Sequence, residues 1–465
     1  MTVQLAYFSP FHERMAAAQL PEIFIHNFAH YYEKLVAGDD GMIPEDNIVP
    51  VDTLADADAL PAALESVGRE TVSRTVIIKL NGGLGTGMGL TGPKSLLKVK
   101  DGLSFLDIIA RQAIGIGSPL ILMNSFATDG ASLEVLARYP ALQHELPPSF
   151  LQHKEPKVSA VDFSPACYPE DRDLEWCPPG HGDLYIALAT SGMLDDLLEL
   201  GFEYAFISNA DNLGAVLDFG ILGYMVNRRL PFLMEVADRT PADRKGGHLA
   251  QRADGRLILR EIAQCPAGDM AAFQDIGRHR YFNTNNLWLH LPTLQSILIE
   301  RDYRLGLPMI RNRKTIDPRD PDSMPVYQLE TAMGSAIEVF EGAAAIRVPR
   351  TRFAPVKKTE DLLAVRSDAY VLTPDNRVML APERNGTPPN VELVGDGYRF
   401  VSDLDVRFPF GAPSLRFCDR LVVEGEFRFG RGIILRGDVR FRNTNDKCKI
   451  VPDGLVLENG EWPGK

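Results

Sequence analysis

The sequence contains few cysteines and no cysteine pair in a CxxC pattern. The five are Cys167, Cys177, Cys265, Cys418 and Cys448. Their odd number and wide spacing argue against a disulfide framework and against a zinc site of the usual spacing. A chain of 465 residues can bury a large core without such cross-links, and by length it corresponds to about three domains. The cysteine content therefore predicts a reducing, cytoplasmic location.

The sequence also lacks long apolar runs and an excess of positive charge. No window approaches 18 uninterrupted apolar residues, and MTVQLAYFSPFHERM has no basic segment followed by a long apolar one. The net charge is −13, from 49 Lys and Arg against 62 Asp and Glu. We therefore expect no membrane span, no secretion and no broad electrostatic binding of nucleic acid or anionic membranes. A composition that is 45% hydrophobic and 24% charged is typical of a globular protein.

The first 72 residues are predicted to form a helical N-terminal extension. PEIFIHNFAHYYEKLVAG indicates a helix with Pro21 in its first turn and Gly38 at its end. His26 and His30 on this helix are an i, i+4 pair, but no third ligand lies nearby in the sequence. A solvated or core position is therefore favoured over a metal site.

Short apolar runs recur from about residue 73 to residue 365, with helical stretches between several of them. The runs are TVIIKL, PLILMN, YAFISNAD, PFLMEVAD, GRLILREI and YFNTNNLWLHL, and helices are predicted over 185–200 and 218–228. Strands that alternate with helices are typical of a mainly parallel sheet covered on both faces. We therefore expect a Rossmann-like α/β domain over residues 73–385, with ligands at the carboxyl ends of its strands.

Residues 386–465 follow a different period. Apolar residues recur every six positions in two columns that are offset by two. The columns are Leu415, Leu421, Phe427, Ile433 and Val439, and Phe417, Val423, Phe429, Leu435 and Phe441. This recurrence is typical of a parallel β-helix of hexapeptide repeats, although a plain antiparallel meander has the same alternation. A β-helix buries its ends poorly, so we expect docking on the central domain or a homo-oligomer formed through this domain.

The stretch KLNGGLGTGMGLTGPKS holds six glycines after an apolar run. Gly87, Gly89 and Gly92 match GxGxxG but start well past the strand end, and Pro93 stands where a Walker A loop needs its lysine. The stretch therefore fits neither a dinucleotide fingerprint nor a P-loop. Glycines allow positive φ and let backbone N–H groups approach an anion or a flat base, and Lys94 supplies a point charge for phosphate. The structural alternative is a long flexible turn with a solvated lysine.

LNGGLGTGMGLTGPKS resembles the nucleotide-binding signature of the eukaryotic-type UDP-glucose pyrophosphorylase family, also called UTP–glucose-1-phosphate uridylyltransferases. Seven further stretches are similar to blocks of this family, in the same order: FLQHKEPK, PPGHGDLY, ISNADNLGA, KGG, FNTNNLWL, QLETAMGSAI and VPRTRFAPVKKTEDLL. PSLRFCDRLVVEGEFRFG also resembles the family's C-terminal module. The resemblance covers about residues 75–440. It implies a nucleotidyltransferase domain of glycosyltransferase-A-like fold, followed by a left-handed parallel β-helix.

The resemblance implies that UTP and glucose 1-phosphate form UDP-glucose and pyrophosphate reversibly, with Mg²⁺ as cofactor. An oxygen of the sugar phosphate would attack the α-phosphorus in line, so no side-chain nucleophile is needed. No Ser-His-Asp or cysteine-nucleophile motif stands out in the sequence, in agreement with this chemistry. Catalysis would consist of positioning and of charge neutralisation by Mg²⁺, Lys94 and Lys357.

The resemblance also implies the site residues. Those for UTP are Leu80, Asn81, Gly82, Gly83, Lys94, Gln152, Gly180 and Lys357. Those for glucose 1-phosphate are His181, Asn209, Asp211, Asn283, Asn285 and Glu330. The backbone of Leu-Asn-Gly-Gly and the amide of Gln152 would read the uracil. Asp211 would bind Mg²⁺, although an Asp at a strand end can instead be the N-cap of a helix. Lys358 should point to the opposite side of the chain from Lys357 if this segment is extended.

Three alternative functions remain. Pyrophosphorylases for UDP-N-acetylhexosamines usually have Arg-Leu after the Gly-Thr of the loop, where this chain has Gly87 and Met88. A broad UDP-sugar pyrophosphorylase is a second alternative, because galactose and glucose differ in the orientation of one hydroxyl. A non-catalytic sensor of nucleotide sugars is the third, and retention of the two lysines, the histidine and the aspartate of the implied site disfavours it.

Overall fold

The computed structural model describes residues 3–445 and 447–463, with side chains from residue 8 onward. The α-helices of this part are α1 (Val3–Ala17), α2 (Glu22–Val36), α3 (Ala63–Thr71), α4 (Phe105–Ile116), α5 (Asp129–Leu136), α6 (Leu184–Thr190), α7 (Met193–Glu199), α8 (Phe219–Arg228), α9 (Met270–Phe273), α10 (Leu291–Glu300), α11 (Thr359–Arg366) and α12 (Val401–Arg407). Among the described residues, no helix is both long and apolar enough to cross a membrane.

The strands fall into a central group and a C-terminal group. The central strands are β1 (Val49–Pro50), β2 (Ala55–Asp56), β3 (Thr75–Asn81), β4 (Lys98–Lys100), β5 (Leu103–Ser104), β6 (Leu120–Asn124), β7 (Ser149–Leu151), β8 (Glu155–Pro156), β9 (Val158–Ser159), β10 (Trp176–Cys177), β11 (Tyr204–Asn209), β12 (Phe232–Asp238), β13 (His248–Gln251), β14 (Leu257–Arg260), β15 (Tyr281–His290), β16 (Met309–Thr315), β17 (Pro325–Thr331), β18 (Ala344–Arg347), β19 (Tyr370–Leu372) and β20 (Val378–Leu380). The C-terminal strands are β21 (Asn390–Val394), β22 (Ser414–Glu424), β23 (Phe427–Phe429), β24 (Ile434–Arg442), β25 (Lys449–Val451) and β26 (Val456–Glu461).

The central sheet has the strand order β2-β18-β12-β15-β11-β3-β6-β7. Neighbouring strands in this order are parallel, except that β15 runs antiparallel to both β11 and β12. Strands such as β6 are buried along their whole length, which is why they are continuous apolar runs in the sequence. The predicted α/β fold with a mainly parallel sheet is confirmed.

Two of the predicted elements differ in detail. The helix predicted over 185–200 is two helices, α6 and α7, because Gly192 between them has φ +80°. GRLILREI forms β14 in an antiparallel hairpin with β13, beside β15, and not a strand of the parallel part.

Residues 1–72 contain the helices α1, α2 and α3, and they also contribute strands to the central sheet. The short strands β1 and β2 of this region pair with β13 and β18, so it completes the central sheet. Phe11 and Phe24 of α1 and α2 are buried in the main apolar core. Helix α3 packs closely on α8, where a Cβ on Gly68 would lie 1.9 Å from the carbonyl oxygen of Phe219. A strand of two residues has no readable period, so the sequence did not predict this role.

The C-terminal strands pair in parallel, in a sheet of order β21-β22-β24-β26 and in the pair β23-β25. The antiparallel meander is therefore wrong. Leu421 pairs with Val439, eighteen residues or three hexapeptides further along. The two predicted columns are buried except for Phe417, which is 51% exposed because the pairing of β22 with β24 shifts register before it.

The glycine-rich loop contacts this C-terminal part of the chain. Met88 is buried in the same apolar cluster as Tyr398, Val401 and Phe408. Gly89 has φ +74°, and a Cβ there would lie 2.8 Å from the ring of Phe400, just before α12.

Candidate active site

The glycine-rich loop follows the buried strand β3 and folds back on itself. Gly85 has φ +64°, a conformation that residues with a Cβ rarely adopt. The backbone N–H of Lys94 donates to the carbonyl oxygen of Gly83 at 3.0 Å and closes the loop. A Cβ on Gly82 would lie 3.0 Å from Oε1 of Gln152. Bare backbone therefore faces this side-chain amide.

A cavity of about 850 Å³ lies at the carboxyl ends of β3, β6 and β11. This is the expected position for a ligand in an α/β sheet. Ten of the fourteen predicted site residues line the cavity: Leu80, Asn81, Gly82, Gly83, Lys94, Gln152, Gly180, His181, Asn209 and Asp211. The other four, Asn283, Asn285, Glu330 and Lys357, lie outside its lining.

Lys94 and Asp211 form an ion pair in the cavity. Nζ of Lys94 is 2.6 Å from Oδ2 of Asp211, and the two side chains are 16% and 24% exposed. Asp211 follows β11, and its backbone oxygen accepts a hydrogen bond from the N–H of Val356 at 3.3 Å. Asp211 is not a helix N-cap, because Asp218 caps α8 through the N–H of Ile221. The predicted phosphate lysine and the predicted metal carboxylate thus lie in direct contact.

Hydrogen bonds orient the amide of Gln152. Its Nε2 donates to the carbonyl oxygen of Gly180 at 2.9 Å, and its backbone N–H donates to the carbonyl oxygen of Asn124 at 2.8 Å. The amide can then offer Oε1 as an acceptor to a base edge. The side chain of Asn81 is instead buried and donates to Asn124 Oδ1 and Ser132 Oγ. Its contribution to the cavity therefore comes from its backbone.

His181 is held as a neutral imidazole between two glycines. Its Nδ1 accepts the N–H of Met333 at 2.9 Å, and burial lowers the pKa of His181 to about 4. At neutral pH the ring hydrogen therefore lies on Nε2 and can be donated. The glycines allow β17 to approach closely: a Cβ on Gly180 would lie 2.4 Å from the carbonyl oxygen of Thr331, and one on Gly182 would lie 2.3 Å from its Oγ1.

Comparison with known proteins shows which family has this fold and these motifs. The family model described as UTP–glucose-1-phosphate uridylyltransferase matches residues 24–436. The chain belongs to this family. A probable UTP–glucose-1-phosphate uridylyltransferase of Schizosaccharomyces pombe is 40% identical over 422 residues, which are 89% of this chain and 80% of the relative. The enzyme of that name from Solanum tuberosum is 40% identical over 425 residues, 90% of this chain and 86% of the relative.

Solved structures of UDP-glucose pyrophosphorylases have the same fold. A mutant of the enzyme from Leishmania major matches with a TM-score of 0.91 and 43% identity over 98% of each chain. A second mutant of that enzyme, in complex with UDP-glucose, matches with a TM-score of 0.90 and 43% identity over 98% of this chain and 99% of that one. A UDP-glucose phosphorylase of Trypanosoma brucei matches with a TM-score of 0.86 and 44% identity over the same shares. The family predicted from the sequence blocks is confirmed.

In this uridylyltransferase chain, Asn283 and Asn285 lie in an irregular part of β15. Glu235 of β12 lies opposite Asn286, and the next residue, Val236, lies opposite Asn283. The two extra residues of β15 form a bulge in which Asn285 has φ +58°. Nδ2 of Asn283 donates to Oδ1 of Asn285 at 2.9 Å. The bulge therefore brings the two amides together, although they do not line the main cavity.

Lys357 and Glu330 also lie outside the cavity lining. Lys357 is exposed, with Nζ 5.9 Å from the ring centre of Phe353. The sequence predicted that Lys357 faces the site and that Lys358 points away. Lys358 is exposed as well, so exposure alone does not distinguish the two lysines. Oε1 of Glu330 accepts a hydrogen bond from Nδ2 of Asn312 at 2.9 Å.

Sequence reasoning missed Glu261, which follows β14 and is hydrogen-bonded to Asn283. Burial raises the pKa of this carboxyl, against the opposing effects of Lys357 and of the hydrogen bond from Asn283. A Cβ on Gly247 would lie 2.5 Å from Oε1 of Glu261. The second glycine of the KGG block is therefore the sequence signal of this close approach, but it does not identify the approaching group.

Three residues at the mouth of the cavity were missed as well. Nζ of Lys154 lies 4.7 Å from the ring centre of Trp176 and 5.7 Å from that of Phe126, and all three residues line the cavity. This geometry is a cation–π arrangement. The residues are far apart in the sequence and share no motif, so only the fold reveals the cluster.

The donor set of the cavity fits a magnesium ion that is held mainly by substrate. Among the described residues there is no group of three or more His, Cys, Asp or Glu that could hold a metal ion by itself. Mg²⁺ usually takes one or two protein carboxylates and completes its coordination with phosphate oxygens and water. Asp211, at the end of β11 and beside a phosphate-type lysine, is a suitable carboxylate.

Proposed function

We propose that this chain forms UDP-glucose and pyrophosphate reversibly from UTP and glucose 1-phosphate. The observation that carries the proposal is one cavity that combines a bare backbone loop, an oriented amide, a neutral histidine and a lysine–carboxylate pair. Relatives that align with about nine-tenths of the chain are named for this activity. The arrangement suits a substrate with a base at one end and several phosphate charges at the other.

The uridine of UTP binds at the start of the glycine-rich loop. The backbone from Leu80 to Gly83 approaches the base and ribose without a Cβ in the way. Gln152, whose Nε2 is already bonded to Gly180, offers Oε1 to the base. A flat base therefore fits between the loop and this amide.

The phosphates bind at the far end of the loop, between Lys94 and His181. A phosphate carries more negative charge than a carboxylate, so it displaces Asp211 from Nζ of Lys94. The Nε2 hydrogen of His181 is donated to the phosphate of the hexose 1-phosphate. A neutral donor binds this phosphate without reducing the nucleophilicity of its oxygens as strongly as a cation would.

The transfer step needs no side-chain nucleophile. An oxygen of the sugar phosphate attacks the α-phosphorus of UTP in line, one oxygen–phosphorus bond forms, and the bond to the leaving pyrophosphate breaks. Lys94 stabilises the charge that develops on the phosphates, and Lys357 is the second lysine proposed for this role. The contribution of the protein is therefore orientation and charge neutralisation.

Asp211 would hold Mg²⁺, which supplies additional neutralisation of phosphate charge when bound. The exchange of Lys94 from Asp211 to phosphate frees the carboxylate for the ion. The sugar hydroxyls would be hydrogen-bonded by Asn283, Asn285 and Glu330. Asn209, at the end of β11, would also bind glucose 1-phosphate.

A coupled assay of pyrophosphate release tests the proposal. We expect release from UTP only when glucose 1-phosphate and Mg²⁺ are both present, with slower turnover of galactose 1-phosphate and N-acetylglucosamine 1-phosphate. UTP binding without turnover would contradict an enzymatic function and favour a sensor. Faster turnover of another sugar phosphate would contradict the substrate and favour a broad UDP-sugar or an N-acetylhexosamine enzyme.

We also propose the finer architecture that the sequence predicted. The parallel pairing and the eighteen-residue offset between β22 and β24 support a C-terminal left-handed parallel β-helix. The position of the cavity at the strand ends supports a glycosyltransferase-A-like arrangement of the central domain. The domain limits 1–72, 73–385 and 386–465, a cytoplasmic location and a homo-oligomer formed through the C-terminal domain stay predictions.

A further inference from the structure

A buried side-chain amide ties the loop after β11 to the segment that precedes α11. Asn212 is 2% exposed, and its amide uses its full hydrogen-bonding capacity. Its Oδ1 accepts from the N–H of Ala354 at 2.9 Å and of Gly214 at 3.1 Å. Its Nδ2 donates to the carbonyl oxygen of Arg352 at 3.1 Å and to Oδ1 of Asn286 at 3.2 Å. One side chain thus joins three separate parts of the chain.

A buried ion pair between Glu235 and Arg352 fixes the groups to which the Asn212 amide donates. The carboxylate of Glu235 accepts from Nε and Nη2 of Arg352 at 2.7 and 2.6 Å. It also accepts from Nε1 of Trp288 at 2.9 Å and from Nδ2 of Asn286 at 3.0 Å. Glu235 is fully buried, and a buried charge with this many partners is held rigidly in place. The Arg352 carbonyl and the Asn286 amide that bond to Asn212 are therefore fixed.

The network ends on both sides at residues proposed to act in the transfer step. Asp211 directly precedes Asn212, and its backbone oxygen accepts the N–H of Val356 at 3.3 Å. Asn212 and Pro355 also form an isolated β-bridge. Val356 directly precedes Lys357. Asp211 is thus one residue from the amide of Asn212, and Lys357 is three residues from Ala354, which this amide binds.

We infer that Asn212 is a positioning residue for uridylyl transfer, whose amide fixes the Asp211 loop against the segment of Lys357. The inference rests on the proposed function, because it assumes that these two residues meet the phosphates. A displacement of about 1 Å in a reacting group can reduce the rate by about 10²-fold. Substrate binding depends on many contacts along the cavity and is less sensitive to such a shift.

Two substitutions test the inference. Asn212→Asp keeps the shape and Oδ1 but replaces the N–H donor with an oxygen that faces two oxygen acceptors. Asn212→Ser removes the cross-link without adding a charge and serves if the aspartate variant fails to fold. We expect kcat to fall about 10- to 100-fold in both variants. The KM values for UTP and glucose 1-phosphate should stay within about threefold of the wild type, since the contacts that bind them remain.

Asn443→Asp is the matched control. Asn443 is 7% exposed, and its Nδ2 donates to the carbonyl oxygens of Glu426 and Lys447 at 2.9 and 2.8 Å. It lies in the C-terminal part of the chain and outside the cavity lining. The substitution therefore introduces the same buried carboxylate without touching the Asp211 loop. We expect a lower Tm with an unchanged kcat per folded molecule.

A double-mutant cycle with Asp211→Ala separates positioning from general destabilisation. If Asn212 acts through Asp211, the Asn212→Ser substitution should cost much less kcat in the Asp211→Ala background than in the wild type. Equal losses in the two backgrounds, or unchanged kcat in the Asn212 variants, would overturn the inference. Inactivity of the wild-type chain and of Asn443→Asp would instead refute the proposed function, and with it the premise of the inference.

Discussion

Burial sets the charge of two side chains, His181 in the cavity lining and Lys79 inside strand β3. His181 accepts a backbone N–H at Nδ1, and burial keeps its pKa near 4. Lys79 donates to Ser208 Oγ at 2.6 Å and to the carbonyl oxygen of Ala215 at 2.7 Å. Burial lowers the pKa of Lys79 to about 7, and Arg352 adds to this effect. Both groups have fewer protons at neutral pH than the same residues would have in water.

We predict that the effect of His181 on catalysis does not depend on pH between about 5.5 and 8. A pKa near 4 leaves the imidazole neutral over this range, so it binds phosphate as an N–H donor. His181→Leu, which has no donor, should reduce kcat/KM for glucose 1-phosphate about tenfold, the value of one hydrogen bond to a charged group. The titration of the sugar phosphate affects both proteins equally. The ratio of kcat/KM for the wild type to kcat/KM for the variant should therefore be constant with pH.

His26→Leu is the control for this measurement, because His26 is exposed on α2 and should have no effect. A ratio that falls as the pH rises through the ordinary histidine range would contradict the prediction. It would mean that a protonated imidazole binds the phosphate.

Lys79 should make the stability of the protein depend on pH. Its folded-state pKa of about 7 lies below its ordinary value of 10.5, so the unfolded chain binds more protons between these pH values. The free energy of unfolding should therefore rise with pH across this window, and the cost of burying the charge is complete below pH 7. The free energy of unfolding can be measured with urea at pH 7 and 9.5. Lys79→Met should remove about 3 kcal/mol of the rise between these two pH values.

The matched control is Lys98→Met, since Lys98 is an exposed lysine of β4. It should leave the pH dependence of unfolding unchanged. The same slope in wild type and Lys79→Met would show that Lys79 is not buried as a partly neutral amine.

At the scale of elements, the bulge of β15 determines where two of the predicted site residues lie. Asn285 has φ +58°, a conformation that costs most residues about 1–2 kcal/mol but that Asn and Gly adopt more readily. The bulge can therefore bring the side chains of Asn283 and Asn285 into contact, closer than two residues that are two positions apart in a regular strand.

We predict that Asn285→Ala is less stable than Asn285→Gly by about 1 kcal/mol, because only glycine avoids the strain of positive φ. Both variants lose the bond from Asn283, so this bond does not contribute to the difference. Thermal unfolding measures the stability, and both variants should show a raised KM for glucose 1-phosphate. Equal stability of the two variants would contradict a left-handed conformation at this residue.

The sequence predicts those elements whose signal is local. The strands β3, β6 and β11 are buried on both faces and therefore read as continuous apolar runs. The strands β1 and β2 have two residues each and depend on partners far along the chain, so they have no local signal. The division of residues 185–200 at Gly192 was missed because one glycine is also tolerated inside a helix.

The same distinction applies to the site. Lys94, Gln152 and His181 stand in stretches that resemble a family, and the fold brings them to one cavity. Glu261 contacts Asn283 across the sheet, and the cross-link of Asn212 to Ala354 spans 142 residues. Contacts of this kind depend on strand pairing and cannot be read from spacing.

At the scale of the whole molecule, the glycine-rich loop and the C-terminal part of the chain share one apolar cluster. Met88 of the loop is 3% exposed within this cluster, and Gly89 lies against the ring of Phe400. A loop that is rigid before the nucleotide arrives loses less entropy on binding. The C-terminal part of the chain should therefore contribute to UTP affinity without touching the nucleotide.

We predict that Phe400→Ala raises the KM for UTP about five- to tenfold, since loss of a partly exposed ring costs about 1 kcal/mol of loop ordering. The KM for glucose 1-phosphate should change little, because His181 is held by β17 and the Met333 backbone. Phe410→Ala is the control, because that ring is 49% exposed and packs against Arg431. Two results would contradict this prediction: equal changes in both KM values, or an effect of Phe410→Ala as large as that of Phe400→Ala. Either would mean that the C-terminal part of the chain acts on stability alone and not through the glycine-rich loop.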